Sequence, residues 1–118
     1  MEKGDFRMTT TVKNIIPRKI SESSQTTQYT ASNCKCRIDK FTGTNYSTGT
    51  ATLSVNIVPL AGSAGNDNLV VKTKAIVAGE TYTFPEVVGQ VMESGGFIST
   101  VASAATAITI SGSGVEFT

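Results

Sequence analysis

Along Thr50–Pro59, Leu53, Val55 and Ile57 alternate with Thr52, Ser54 and Asn56. A period of two is that of a strand with one face on a core and the other in water. Cys34–Thr44 repeats it: Cys34, Cys36 and Ile38 share one face, Lys35, Arg37 and Asp39 the other. Phe41 falls out of that register, which predicts a bulge near Asp39–Lys40. Leu69–Val77 is a further strand, with Leu69 and Val71 on one face and Val70, Lys72 and Lys74 on the other. Ala78-Gly79 turns the chain into Glu80–Phe84, where Tyr82 and Phe84 share a side. Shorter strands are expected at Gln28–Ala31, Phe97–Ala102, Ala107–Ser111 and Val115–Thr118, with a bend at Gly112–Gly114. Pro85–Met92 holds Val87, Val88 and Val91 behind a Pro-Glu start and predicts a turn or two of helix. Leu53, Val55, Ile57, Leu69, Val71, Tyr82 and Phe84 are the expected core.

The N-terminal stretch has a different pattern. Thr11–Ile20 carries Val12, Ile15, Ile16 and Ile20 around Pro17. Proline removes a ladder donor, so a strand here lies at a sheet edge or is broken. Two readings stand. Residues 1–24 form an arm that reaches a partner, or they supply the edge segment of a domain spanning residues 25–118. In the first reading Ile15, Ile16 and Ile20 anchor the arm, while Arg7, Lys13, Arg18 and Lys19 supply charge contacts.

Composition agrees with an all-β chain. Val and Ile number 11 and 9 against 3 Leu, with 18 Thr, 12 Ser and 11 Gly in 118 residues. β-branched side chains fit a pleated surface better than a helix. Seven or eight short strands separated by turn residues predict an antiparallel β-sandwich of jelly-roll or immunoglobulin-like type, with an extended N-terminal arm. The Cys…Trp…Cys pattern of immunoglobulin domains is absent, because the chain has no Trp.

The net charge of +1 carries no nucleic-acid signature, but its distribution is uneven. Residues 1–40 hold eight bases and four acids. Residues 75–118 hold Glu80, Glu86, Glu93 and Glu116 and no Lys or Arg. A basic front and an acidic back suit head-to-tail contacts between copies, or a solvated surface with uneven charge. No apolar run reaches the roughly 18 residues of a membrane-spanning helix. The first residues lack the apolar centre of a signal peptide.

Catalytic chemistry is poorly supplied. With no His, the chain lacks the side chain best suited to proton transfer near neutral pH. It has no phosphate-cradling glycine loop of the Walker type. No cofactor motif is present, and no enzyme is expected. Asn66-Asp67-Asn68 offers a single carboxylate, which suits an Asx-rich turn better than a calcium site. Cys34 and Cys36 sit two apart on one strand face, too close for a relaxed mutual disulfide. No other Cys or His completes a metal site. They are two small reduced hydrophobes, or a crosslink between subunits.

A resemblance adds to this. Val58-Pro59, Gly62–Gly65, Asn68-Leu69, Ala78–Tyr82, Pro85-Glu86, Ser103–Ala107 and Ser113–Glu116 resemble, in order and spacing, a group of small virion-associated proteins of tailed bacteriophages and prophages. The matching region covers about residues 26–118. These are mostly turn and strand-end residues, so they speak for a fold more than an activity. The resemblance implies a structural protein of the virion, made in the host bacterial cytoplasm. Its expected role is capsid decoration or cement, bound between major capsid subunits as a homo-oligomer. The alternative is a neck, collar or tail accessory protein arranged as a ring. A carbohydrate-binding adhesion module is the remaining reading, since jelly rolls also serve as lectins.

Overall fold

A computed structural model of the chain describes residues 9–118. Among these residues the strands are β1 (Thr10–Ile20), β2 (Thr26–Thr30), β3 (Lys35–Asn45), β4 (Ala51–Val58), β5 (Leu69–Ile76), β6 (Thr81–Tyr82), β7 (Val91–Met92), β8 (Phe97–Ala102) and β9 (Ile108–Phe117). They form two antiparallel sheets. One runs β1-β9-β3-β6, with β7 also paired to β3; the other runs β2-β8-β4-β5.

β6 and β7 lie against opposite ends of β3, with Tyr82 beside Gly43 and Met92 beside Cys36. They are two halves of one interrupted strand. With the halves joined, the first strand pairs with the last, the second with the second last, and so inward to β4 and β5. A long hairpin wrapped around a core produces this nesting. Of the two sandwich types expected, the chain is therefore a jelly roll. An immunoglobulin sandwich places its first and last strands in different sheets, whereas here β1 pairs with β9.

Between the sheets lie Phe41, Phe84, Ile16, Ile38, Leu53, Ile76, Met92, Ile98, Ile108 and Ile110, all fully buried. Val55 and Val71 are buried as expected, while Ile57 and Tyr82 pack on the core from its margin. Leu69 is half-buried. The expected alternation of β5 fails past Thr73, whose φ of 45° marks a local irregularity in the β4 pairing. Beyond it, Lys74 lies over the Tyr82 ring at 4.4 Å and Ile76 enters the core.

The bulge expected near Asp39–Lys40 is present, as a register shift between Ile38 and Lys40 against β9. Two other expectations are corrected. Pro85–Met92 forms no helix. Its backbone makes two separate turns, Val87 N–H donating to Phe84 O and Gln90 N–H to Val87 O, and is otherwise bonded to β3, with Gly89 N–H donating to Ile38 O and Ile38 N–H to Gln90 O. Positive φ at Phe84 and Gly89 breaks any helical run, and Val87 is turned into the core. Nor does the chain bend at Gly112–Gly114, because β9 runs unbroken between β1 and β3. The glycines are there for close approach. A Cβ on Gly114 would stand 2.5 Å from the Arg37 carbonyl oxygen, and one on Gly112 would stand 3.2 Å from Ile16 Cδ1. Backbone cannot yield as a flexible side chain does. Gly114→Ala is expected to destabilise the protein by about 1–3 kcal/mol through overpacking, read as a lower urea midpoint at unchanged slope.

The N-terminal segment divides at the limit of the described residues. Residues 10–20 are the edge strand of the first sheet and not an arm. Arg7 and the rest of residues 1–8 lie outside the described residues.

Candidate functional site

Strand β1 carries most of the residues expected to meet a partner, and the fold sorts them. Its pairing with β9 slips twice, between Lys13 and Ile16 and between Ile16 and Lys19. Each slip inserts one extra residue into β1, so strict alternation is lost. Ile15 and Ile16 consequently both turn inward, at 4% and 1% exposure. They are occupied in the chain's own core, which corrects their expected role as anchors. Lys13 and Arg18 remain exposed and Lys19 half-exposed, and Ile20 keeps 46% of its surface.

Thr9 and Thr118 exchange both backbone hydrogen bonds, at 2.8 and 2.9 Å. In an antiparallel ladder the next residues alternate, so the N–H and C=O of Thr10 and Val12 point away from β9. Among the described residues nothing pairs with this edge, and Val12 is 80% exposed beside it. Pro17, the bulges and the basic side chains blunt its other half against indiscriminate pairing.

Polar contacts tie this edge to the second sheet. The Lys13 ammonium donates to Glu116 Oε2 at 3.2 Å, and the Tyr29 hydroxyl of β2 donates to the same oxygen. The Tyr29 bond, with smaller help from Lys13, holds the Glu116 carboxyl below the usual carboxylate range. Burial, reinforced by Glu116, pushes the Tyr29 phenol upward. Further along, Lys19 donates to Glu22 at 2.8 Å and Gln28 to its other oxygen at 2.9 Å. These bonds lower Glu22 from its ordinary 4.5 to about 2.

A carboxylate whose pKa is depressed by folding stabilises the protein above its unfolded value and stops doing so as pH falls through the folded value. Stability is therefore expected to fall on acidification from 4.5 towards about 2. Glu22 has 39% side-chain exposure, so solvent screening keeps its share below about 1 kcal/mol. Urea midpoints across that range check this, with Glu22→Gln flattening part of the slope.

Both cysteines are buried, Cys34 just before β3 at 5% exposure and Cys36 on it at 0%. An inter-subunit bridge at Cys34 or Cys36 is corrected by this burial, since neither sulfur reaches a neighbour while the fold is closed. Burial also pushes the Cys36 thiol up, which disfavours the reactive thiolate. The expected result is that a thiol reagent labels neither cysteine in native protein and both after denaturation, by mass spectrometry. Among the described residues no three His, Cys, Asp or Glu side chains converge. The Asn66–Asn68 turn uses its amides internally: Asn68 Oδ1 accepts from Gly65 N–H and from buried Asn56.

One contact surface was not expected from the sequence. At the end of the sandwich that holds the Pro59–Gly65 loop, Ile57, Val58, Pro59, Leu60, Val91 and Met92 line an open apolar groove of about 490 Å³. Leu60 is 70% exposed and Val91 48%. Leu60 lies across Gly95, whose φ of 88° suits glycine. An apolar residue directly after a strand-ending Pro59 was the available signal.

No family model and no curated protein sequence matches the chain. Solved structures do. A chain in the crystal structure of the T13 viral particle of infectious bursal disease virus superposes with a TM-score of 0.55 at 13% identity, covering 94% of this chain and 31% of that one. A chain in the structure of the Gx strain of the same virus gives 0.51 and 13%, covering 94% and 33%. The present chain spans about a third of the length of those neighbours. At such identity the likeness is one of fold.

Proposed function

We propose that the chain is a structural protein of a virus particle, acting through its surfaces and catalysing nothing. The observation that carries this is the superposition of 94% of the chain on chains of an icosahedral virus particle. The topology supports it. A jelly roll encloses its core between two sheets and leaves edges, outer faces and end loops for contact. The open β1 edge and the Leu60–Val91 groove are surfaces of that kind.

The finer reading is a decoration or cement protein bound to the major capsid protein of a tailed-phage head, located in the virion. The motif resemblance across residues 26–118 supports it. Each copy contributes a modest interface, and repetition over the lattice makes the sum large. An extended segment of the partner can add as an extra strand to the Thr10–Val12 backbone, which is unpaired on its outer side among the described residues.

A ring at the neck, collar or tail is the second reading, favoured by one observation. Lys13, Arg18 and Lys19 lie along one edge of the first sheet, while Glu80, Glu86 and Glu93 flank β6 and β7 at its opposite edge. Such polarity suits head-to-tail contacts that close into a ring.

Mixing purified protein with heads that lack it, then pelleting, tests the decoration reading. Saturable co-sedimentation is the expected outcome, and failure to pellet at any concentration contradicts it.

A further inference from the structure

Most cations of the described residues have a partner. Lys13 pairs with Glu116, Lys19 with Glu22, Lys35 with Glu93 and Arg37 with Asp39. Lys74 sits over the Tyr82 ring. Among the described residues Arg18, Lys40 and Lys72 have no such partner, and two of the three converge. Arg18 and Lys40 line one polar depression of about 330 Å³ on the outer face of the first sheet, with Asn14, Thr42, Ser111 and Ser113.

The strand register shows how it is built. Lys40 lies opposite Ser113, and Thr42 opposite Ser111. On the other side of β9, Asn14 and Arg18 fall within the two slips of β1 around the Ile16–Gly112 pair. Asn14, with its amide oriented to satisfy both, donates to the carbonyls of Ile16 and Gly112 and pins the first slip. Three register shifts, two in β1 and one in β3, thus flank the same short stretch of β9. Bulges gather where a sheet re-aims side chains beside a site.

We infer that this depression is a binding site for a tetrahedral oxyanion, a phosphate or sulfate group. The donor set is the argument. A guanidinium comes from one flank and an ammonium from the other, on strands whose backbones lie two strand spacings apart, or about 10 Å. Ser111 and Ser113 stand between them on β9, with Thr42 beside Lys40 on β3, and these three hydroxyls hydrogen-bond to no other described residue. No carboxylate lines the depression, and the nearest in sequence, Asp39, is held by Arg37 Nε at 2.8 Å. Arginine offers its planar fork to two oxygens while lysine supplies a point charge. Donors that approach from both flanks and from the floor suit a tetrahedral anion better than a planar carboxylate. The group is either a free ion or an ester on a larger carrier such as a sulfated saccharide. The site requires no capsid partner and stands apart from the virion reading.

Amide NMR titration of the full chain tests it, with inorganic phosphate, inorganic sulfate and a sulfated disaccharide as probes. Sodium chloride at matched ionic strength supplies the background. Saturable shifts at Lys40–Thr42 and Ser111–Ser113 are expected. Arg18→Gln and Lys40→Gln, both on exposed side chains, each weaken binding by about tenfold or more. Lys72→Gln leaves it unchanged. Tighter binding of the disaccharide than of sulfate assigns the site to an ester, and equal or weaker binding to the free ion. Shifts that follow ionic strength without saturating, or saturable shifts that survive in the Arg18→Gln/Lys40→Gln double variant, overturn the proposal.

Discussion

Phe84→Ala is expected to lower the free energy of unfolding by about 3–5 kcal/mol, the range for deleting a buried aromatic ring. Phe84 belongs to the loop that splits one strand into β6 and β7, yet it is fully buried. Its ring meets Phe41 edge-on at 5.1 Å and Tyr82 edge-on at 4.8 Å. It also covers Gly43, where an added Cβ would lie 3.1 Å from Phe84 Cε1. The ring fills the space opened between the two half-strands, so its removal leaves a cavity that rigid strands cannot close. Domains of this size hold about 5–15 kcal/mol in all, so the variant forfeits much of the total. A urea unfolding curve measures the loss. A cost below about 1 kcal/mol would mean that the interrupted strand is not fastened through this ring.

Asn45→Ala is the second large effect. Asn45 is fully buried at the end of β3. Its amide donates to Gly49 O at 2.8 Å and to Ile76 O at 2.7 Å, while its Oδ1 accepts from Ser47 N–H at 2.9 Å and from Ser47 Oγ at 2.7 Å. One side chain therefore shapes the β3–β4 turn and links it to the end of β5 in the other sheet. Truncation strands several polar groups, each at about 1–3 kcal/mol if it stays buried. The expected loss rivals that of Phe84→Ala, with amide exchange at Ser47, Gly49 and Gly79 accelerating first. Unchanged exchange there would show that water replaces the side chain without loss.

The contrast between these two residues shows what the sequence carries. Phe84 is legible as core because it follows Tyr82 at strand spacing. Asn45 looks like any turn asparagine, since its value lies in groups brought from β5. Leu53 and Val55 announce their strand through period-two alternation, and Phe41 announces a bulge by breaking it. Ile15 and Ile16 do not, because consecutive burial requires slips that only the β9 pairing imposes. Val87, Val88 and Val91 mimic a helical face within a stretch that only turns and then bonds to Ile38 of β3. Gly112 and Gly114 look like a bend but serve close approach to Ile16 and Arg37. The depression at Arg18 and Lys40 draws on β1, β3 and β9, so no local pattern could have assembled it.

The virion reading rests on the jelly-roll topology and on its likeness to a virus-particle chain. Quantitative peptide mass spectrometry on washed, intact particles puts it to the test. The protein is expected among the particle proteins, with copies on the order of hundreds for decoration of a head lattice and about a dozen or fewer for a ring. Its absence from particles, while it is abundant in the producing cells, would contradict a structural role in the virion.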